Sequence, residues 1–163
     1  MKKKIVVIGI GNPLVEEDSL GLKVIDELEK RDLPEEVELH KIHLDSLKLV
    51  EMLRKASDAV IVDVFKSRDE AGKIYTMTLD ELEGRVEELK PLSSHQLSVV
   101  EALKLLEDVY ESERPERIFF IGINVGKAGR EPEALKAVEK NIPKLIERVC
   151  AEIWRIMRSK SAL

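Results

Sequence analysis

Three short apolar runs set the limits of what this chain can fold into: residues 5–10 (IVVIGI), 59–64 (AVIVDV) and 118–123 (IFFIGI). Each is nearly continuous and rich in β-branched or aromatic residues, the pattern of a strand buried on both faces. Between them, apolar positions recur at helical spacing. Leu20, Val24, Ile25 and Leu28 predict a helix over 19–31, and Leu49, Val50 and Leu53 a short one over 47–55. Val99, Val100, Leu103 and Leu106 predict a helix over 95–110. Leu135, Val138, Ile142, Leu145, Val149 and Ile153 mark a long one over 131–158, which Pro143 is expected to kink or split. Two further strands are expected over 37–44 and 74–79, the second entered through a turn at Gly72 that allows an antiparallel direction. Strands alternating with helices predict a three-layer α/β/α fold with a twisted, mostly parallel five-stranded sheet. With 163 residues and no repeat or linker, residues 1–163 are expected to form one domain.

Charged residues make up 36% of the chain, but the net charge is only −5. The signs are interspersed, and no basic face points to nucleic acid. Gln96 is the one glutamine and asparagine occurs three times, a balance against many Glu, Lys and Arg that suggests a thermophile. Cys150 is the only cysteine, so no internal disulfide or cysteine-based zinc site can be built, and a reducing compartment is expected. Lys2 to Lys4 precede the first apolar run, but that run ends at Ile10, short of the roughly 7–15 residues of a signal-peptide core. No stretch approaches the ~18 apolar residues of a membrane span. A soluble cytoplasmic protein is expected, with no membrane or nucleic-acid partner, and a monomer because no sustained heptad is present.

In parallel α/β sheets, ligands bind beyond the carboxyl ends of the strands. That rule selects Asn12–Asp18, Asp45, Asp63 and Asn124. The first loop begins with Gly9 and Gly11, like a dinucleotide-binding turn, but the fingerprint's third glycine falls on Leu14 and no phosphate-loop Gly-Lys-Ser/Thr follows. Glu16, Glu17 and Asp18 would repel phosphate. Gly11 is expected instead to let the backbone turn sharply.

Carboxylates at a strand's carboxyl edge suit a cation, and divalent metals in catalytic sites are bound by Asp, Glu and His. Asp63 ends a buried strand, where charge is costly unless paired. His95 lies in the segment PLSSHQLSVV, where Ser93 or Ser94 is placed to cap a helix and fix His95 in its first turn. Each residue also has a plain structural reading. Asp18 would cap a helix starting at Ser19, Asp63 would accept hydrogen bonds from loop amides, and His95 would be an ordinary histidine. Taken together, three metal-type side chains map to one sheet edge.

The loop GIGNPLVEEDSLG, the strand end VIVDV and the segment SSHQLS together resemble the maturation endopeptidases of nickel–iron hydrogenases. The family's opening motif matches Gly9, Gly11, Asn12, Pro13, Leu14, Glu17, Asp18 and Gly21. Glu16, Ser19 and the Asn124-Val125 pair depart from common family residues without touching a ligand position. The resemblance covers nearly the whole chain and implies the same sheet between helices. It implies that Asp18, Asp63 and His95 engage nickel carried by the substrate, with Gly11, Asn12 and Glu17 as supporting loop residues and no organic cofactor; Asp45, just past the second strand, is a further supporting loop residue placed to shape substrate entry. It further implies removal of a C-terminal extension from the hydrogenase large-subunit precursor after nickel insertion. The precursor is the implied partner, with its maturation chaperone as a second candidate.

Other protease chemistries lack their motifs. There is no His-Glu-x-x-His and no Gly-x-Ser-x-Gly. Cys150, between Val149 and Ala151 on the last helix, reads as packing because no histidine partner is evident. His40 and His43 have odd spacing on the second strand and would face opposite sides. Nickel would either polarise the scissile carbonyl or activate a water, or it would act as a positional check with a carboxylate as base. Two rival readings are a sheet-edge metallohydrolase with its own bound metal and a non-enzymatic nickel- or precursor-binding assembly factor.

Overall fold

The three apolar runs become the three central strands of one sheet. The computed structural model describes residues 4–43, 46–85, 87–91, 99–110, 113–127 and 131–161. The strands are β1 (Ile5–Ile10), β2 (Val37–Ile42), β3 (Asp58–Lys66), β4 (Ile74–Thr78), β5 (Lys90–Pro91) and β6 (Arg117–Asn124). The helices are α1 (Leu20–Leu28), α2 (Ser46–Arg54), α3 (Leu79–Glu83), α4 (Val99–Tyr110) and α5 (Pro132–Ser161). The main path runs β2-β1-β3-β6-β4, and β5 adds two residues beside the end of β3. β2, β1, β3 and β6 are mutually parallel; β4 is antiparallel to β6, as the Gly72 turn allows. Gly72 has φ of +90°, a conformation in which glycine is favoured.

Alternation along the strands sorts the core into two layers. Ile5 and Val7 of β1 and Val60, Val62 and Val64 of β3 pack with α1 and α5. Val6, Ile8 and Ile10, together with Ala59, Ile61 and Phe65, pack with α2, α3 and α4. Because β1, β3 and β6 are covered on both faces, they read as continuous apolar runs.

Several sequence expectations need correction. Pro143 does not split the last helix, which is assigned unbroken from Pro132 to Ser161. Val138 on one side and Leu145, Ile146 and Val149 on the other are buried, so the sheet holds both halves despite one missing backbone donor. The strand expected to reach Leu79 stops at Thr78, whose hydroxyl accepts a hydrogen bond from the Glu81 amide at 3.3 Å and starts the unforeseen α3. β2 ends at Ile42, so exposed His43 lies past the strand rather than on it. The helix expected from residue 95 is described from Val99 on; residues 92–98 lie outside the described residues.

At the amino end of the sheet, Asp58 is fully buried. It accepts hydrogen bonds from Arg117 at 2.7 Å and Ser57 at 2.9 Å, and pairs with Lys160 at 2.6 Å. This cluster ties the last turn of α5 to the first residues of β3 and β6. Among the described residues no helix is long and apolar enough to cross a membrane.

Candidate functional site

The site is placed by how closely α1 lies on the sheet. A Cβ at Gly9 would stand 2.3 Å from the Gly21 carbonyl oxygen, and one at Gly21 would stand 2.5 Å from the Ile10 oxygen and 2.9 Å from the Val62 oxygen. Side chains at these positions would push helix and strands apart. Gly11 serves the same end. Its φ is not positive, so it is not there for a turn that only glycine can make, as the sequence suggested. A Cβ there would lie 2.2 Å from the Asp18 carbonyl oxygen.

That carbonyl closes the loop. The Asn12 amide donates to Asp18 O at 3.0 Å, and the Asp18 amide donates to Val15 O at 3.1 Å. Asn12 Oδ1 accepts from the Leu14 amide at 3.0 Å, a local turn that leaves the Leu14 side chain 91% exposed. Asp18 itself lies in a 3-10 turn, Glu17–Ser19, and is 2% exposed. It is not the cap of α1: Ser19 holds that position, and its hydroxyl donates to the Glu16 carbonyl at 2.7 Å.

Asp63 is 4% exposed, near the carboxyl end of β3, and its Oδ1 accepts a hydrogen bond from the Val64 amide at 2.8 Å. Strand parity places it on the α4 face with Ile61 and Phe65. Val62 pairs with Gly9, so Asp63 follows at the level where β1 gives way to the Asp18 loop. Gly21, one helical turn after Asp18, touches the Val62 carbonyl. The two carboxylates therefore belong to one edge of the sheet, where chains diverge from β1 to β2 on one side and β3 on the other. That divergence is where open α/β sheets bind ligands.

The third expected residue is bracketed. β5 runs antiparallel to β3, with Phe65 opposite Pro91. The chain is described again at Val99, where α4 begins on the Asp63 face. His95 lies between, outside the described residues, as do Asp45 and the side chain of Glu17. Among the described residues no three His, Cys, Asp or Glu side chains stand together as a metal site; Asp18 and Asp63 are the described part of the set.

Asn124, selected from sequence as an edge residue, is a loop organiser. Fully buried, its Oδ1 accepts from the Ser67 and Gly126 amides at 2.9 and 3.2 Å, and its Nδ2 donates to Asp69 O and Glu70 O at 2.7 and 3.1 Å. Cys150 is buried beside Arg31, whose Nη1 lies 3.6 Å from Sγ. Burial pushes the thiol up and outweighs the guanidinium, so it stays protonated and unreactive. His40 is half-buried next to Glu38 on β2.

A glycine-tightened loop carrying one buried acid lies beside a strand end carrying another, at the carboxyl edge of an α/β sheet. The chain belongs to the hydrogenase maturation protease family, a family of peptidases, whose model matches residues 22–152. It is 24% identical over 151 residues to the hydrogenase 2 maturation protease of Escherichia coli, covering 92% of this chain and 90% of that protein. The hydrogenase-maturating endopeptidase HybD from E. coli superposes with a TM-score of 0.74 at 23% identity, over 93% of both chains. The maturation protease HycI from Thermococcus kodakarensis gives a TM-score of 0.68 at 22% identity, over 94% of both.

Proposed function

We propose that this chain is the endopeptidase that removes the C-terminal extension of a nickel-loaded hydrogenase large-subunit precursor. Asp18, Asp63 and His95 would engage the nickel that the precursor carries. The observation that supports this most is the placement of Asp18 and Asp63, both almost wholly buried, at one carboxyl edge of the sheet. Carboxylates at such an edge are the ligand type that divalent metals take in catalytic sites. The resemblance of the SSHQLS segment to the family supports His95 as the third ligand.

On this reading the free protein holds an incomplete site. The precursor supplies the metal, and capture of that metal sets the scissile peptide beside Asp18 and Asp63. The nickel then polarises the carbonyl or lowers the pKa of an attacking water. An aspartic-type route, with one carboxylate as base and nickel as positional check, uses the same residues. Either route links cleavage to metal loading. The protein would act as a monomer in the cytoplasm.

The test is intact-mass analysis of a precursor, nickel-loaded and nickel-free, with and without this protein. Loss of one C-terminal peptide from the loaded form alone is expected. Loss from both forms would remove nickel as the gate. Loss from neither, with a cognate precursor, would leave a binding role only.

A further inference from the structure

A cleft of about 540 Å³ opens at the carboxyl end of β3, lined by Lys66, Ser67, Arg68 and Asp69, with Glu88 on one wall and Lys127 on another. β3 ends at Lys66, three residues beyond Asp63. At about 3.3 Å per residue, the cleft starts roughly 10 Å from the Asp63 position, about three extended residues of a bound peptide.

Its floor is fixed. Asn124 ties the 67–70 segment to Gly126, next to Lys127, through the four hydrogen bonds described above. The Tyr75 hydroxyl donates to Asp69 at 2.8 Å and lies 2.9 Å from Ser67 Oγ. The backbone segments that carry these cations are therefore tied to each other by buried groups.

The lining has three basic and three acidic residues, but two of the acids are engaged by neighbouring cations. Asp69 is engaged by Tyr75 and by Lys73 at 3.1 Å, with Arg85 at 3.8 Å, and these contacts hold its carboxyl below the usual range. Glu88 is paired with Arg85 at 3.2 Å. Glu87 stands exposed on the rim. Lys66, Arg68 and Lys127 have no ion-pair partner among the described residues. Three cations facing one walled cleft attract a carboxylate-bearing chain, and the short reach from Asp63 selects which chain that is.

We propose that this cleft binds the carboxylates of the precursor's C-terminal extension, with Lys66, Arg68 and Lys127 as specificity-determining contacts. The assignment rests on the protease reading above. It makes the extension, and not only the metal, part of what the protein recognises. Rim cations of this kind act on encounter and affinity more than on the bond-breaking step.

The experiment compares wild type, the triple variant Lys66→Ala/Arg68→Ala/Lys127→Ala, and the charge-keeping triple Lys66→Arg/Arg68→Lys/Lys127→Arg on nickel-loaded precursor. Salt is varied from about 50 to about 500 mM. The alanine triple is expected to raise KM about tenfold, leave kcat within about twofold and lose most of the salt dependence, while the charge-keeping triple restores KM and the salt dependence. A labelled synthetic extension peptide separates the carboxylate sources. Weaker binding of the C-terminal amide assigns the terminal carboxylate; weaker binding only after Asp and Glu are replaced by amides assigns the side chains. Wild-type cleavage with an unchanged KM and salt slope in the alanine triple overturns the cleft assignment. Absence of cleavage by wild type removes the protease reading and this one with it.

Discussion

Gly21 rests directly on the main chain of Val62: a methyl group at Gly21 would stand 2.9 Å from the Val62 carbonyl oxygen. The contact joins the first turn of α1, which follows Asp18, to the residue preceding Asp63. It packs the helix that follows Asp18 directly on the strand that carries Asp63. Gly21→Ala has no flexible side chain to move aside, since both near contacts are backbone. The helix must lift, at a cost of about 1–3 kcal/mol. Urea unfolding is expected to show that loss, and precursor processing is expected to fall further than stability does. A variant with normal stability and normal processing would show that the approach of α1 is not what positions the site.

Asp18→Asn and Asp63→Asn keep side-chain volume and remove charge. If the carboxylates serve the metal-bearing substrate, each variant is expected to lose at least about a hundredfold in processing rate. Asparagine keeps an oxygen acceptor for the Val64 amide at position 63, so stability is expected to change far less than processing. Thermal unfolding and a processing time course on the same samples separate the two effects. Equal losses of both would mark the residues as structural.

Asn124 offers a sharper contrast between isosteres. Asn124→Ala leaves buried amides and carbonyls without partners, each at about 1–3 kcal/mol. Asn124→Asp keeps the acceptor for Ser67 and Gly126, but places an oxygen where Nδ2 now donates to Asp69 O and Glu70 O. The aspartate is expected to be the less stable of the two near neutral pH and to recover on acidification, when its protonated carboxyl can donate once more. Urea midpoints at about pH 7 and about pH 4 would show the crossover, given an ordinary carboxyl pKa near 3.9.

Much of this architecture was legible because burial on both faces leaves no polar alternation to misread. β1, β3, β6 and the apolar stripe of α1 all follow from that pattern, and so does the edge that carries Asp18 and Asp63. The misses have physical causes. β5 is two residues long and has no period to detect. α3 is one turn and a half, but Thr78 and Glu81 had the Thr-x-x-Glu spacing of a capping box, so its start was visible in the sequence. Asn124 was picked as an edge residue by position alone. Its role depends on amides and carbonyls at residues 67, 69, 70 and 126, which no linear pattern brings together. The tight use of Gly9, Gly11 and Gly21 was also hidden, because a glycine needed for close approach looks the same as one needed for a turn.

The far end of the sheet governs acid stability. Burial alone would raise the Asp58 carboxyl, but Lys160, Arg117 and Ser57 outweigh it and hold the group below its ordinary value. A carboxyl depressed in the folded state binds fewer protons there than in the unfolded chain, so its contribution is complete above the unfolded value near 3.9. It is lost as pH falls through the folded value. Asp58→Asn is expected to cost about 3 kcal/mol at pH 7, since it strips the anion from two cations that are about a third exposed. The deficit relative to wild type is expected to shrink as pH falls below about 4, as wild type protonates and loses the same attraction. Urea midpoints across that fall in pH test this. A deficit that stays constant with pH would assign the loss to packing and hydrogen-bond geometry instead of charge.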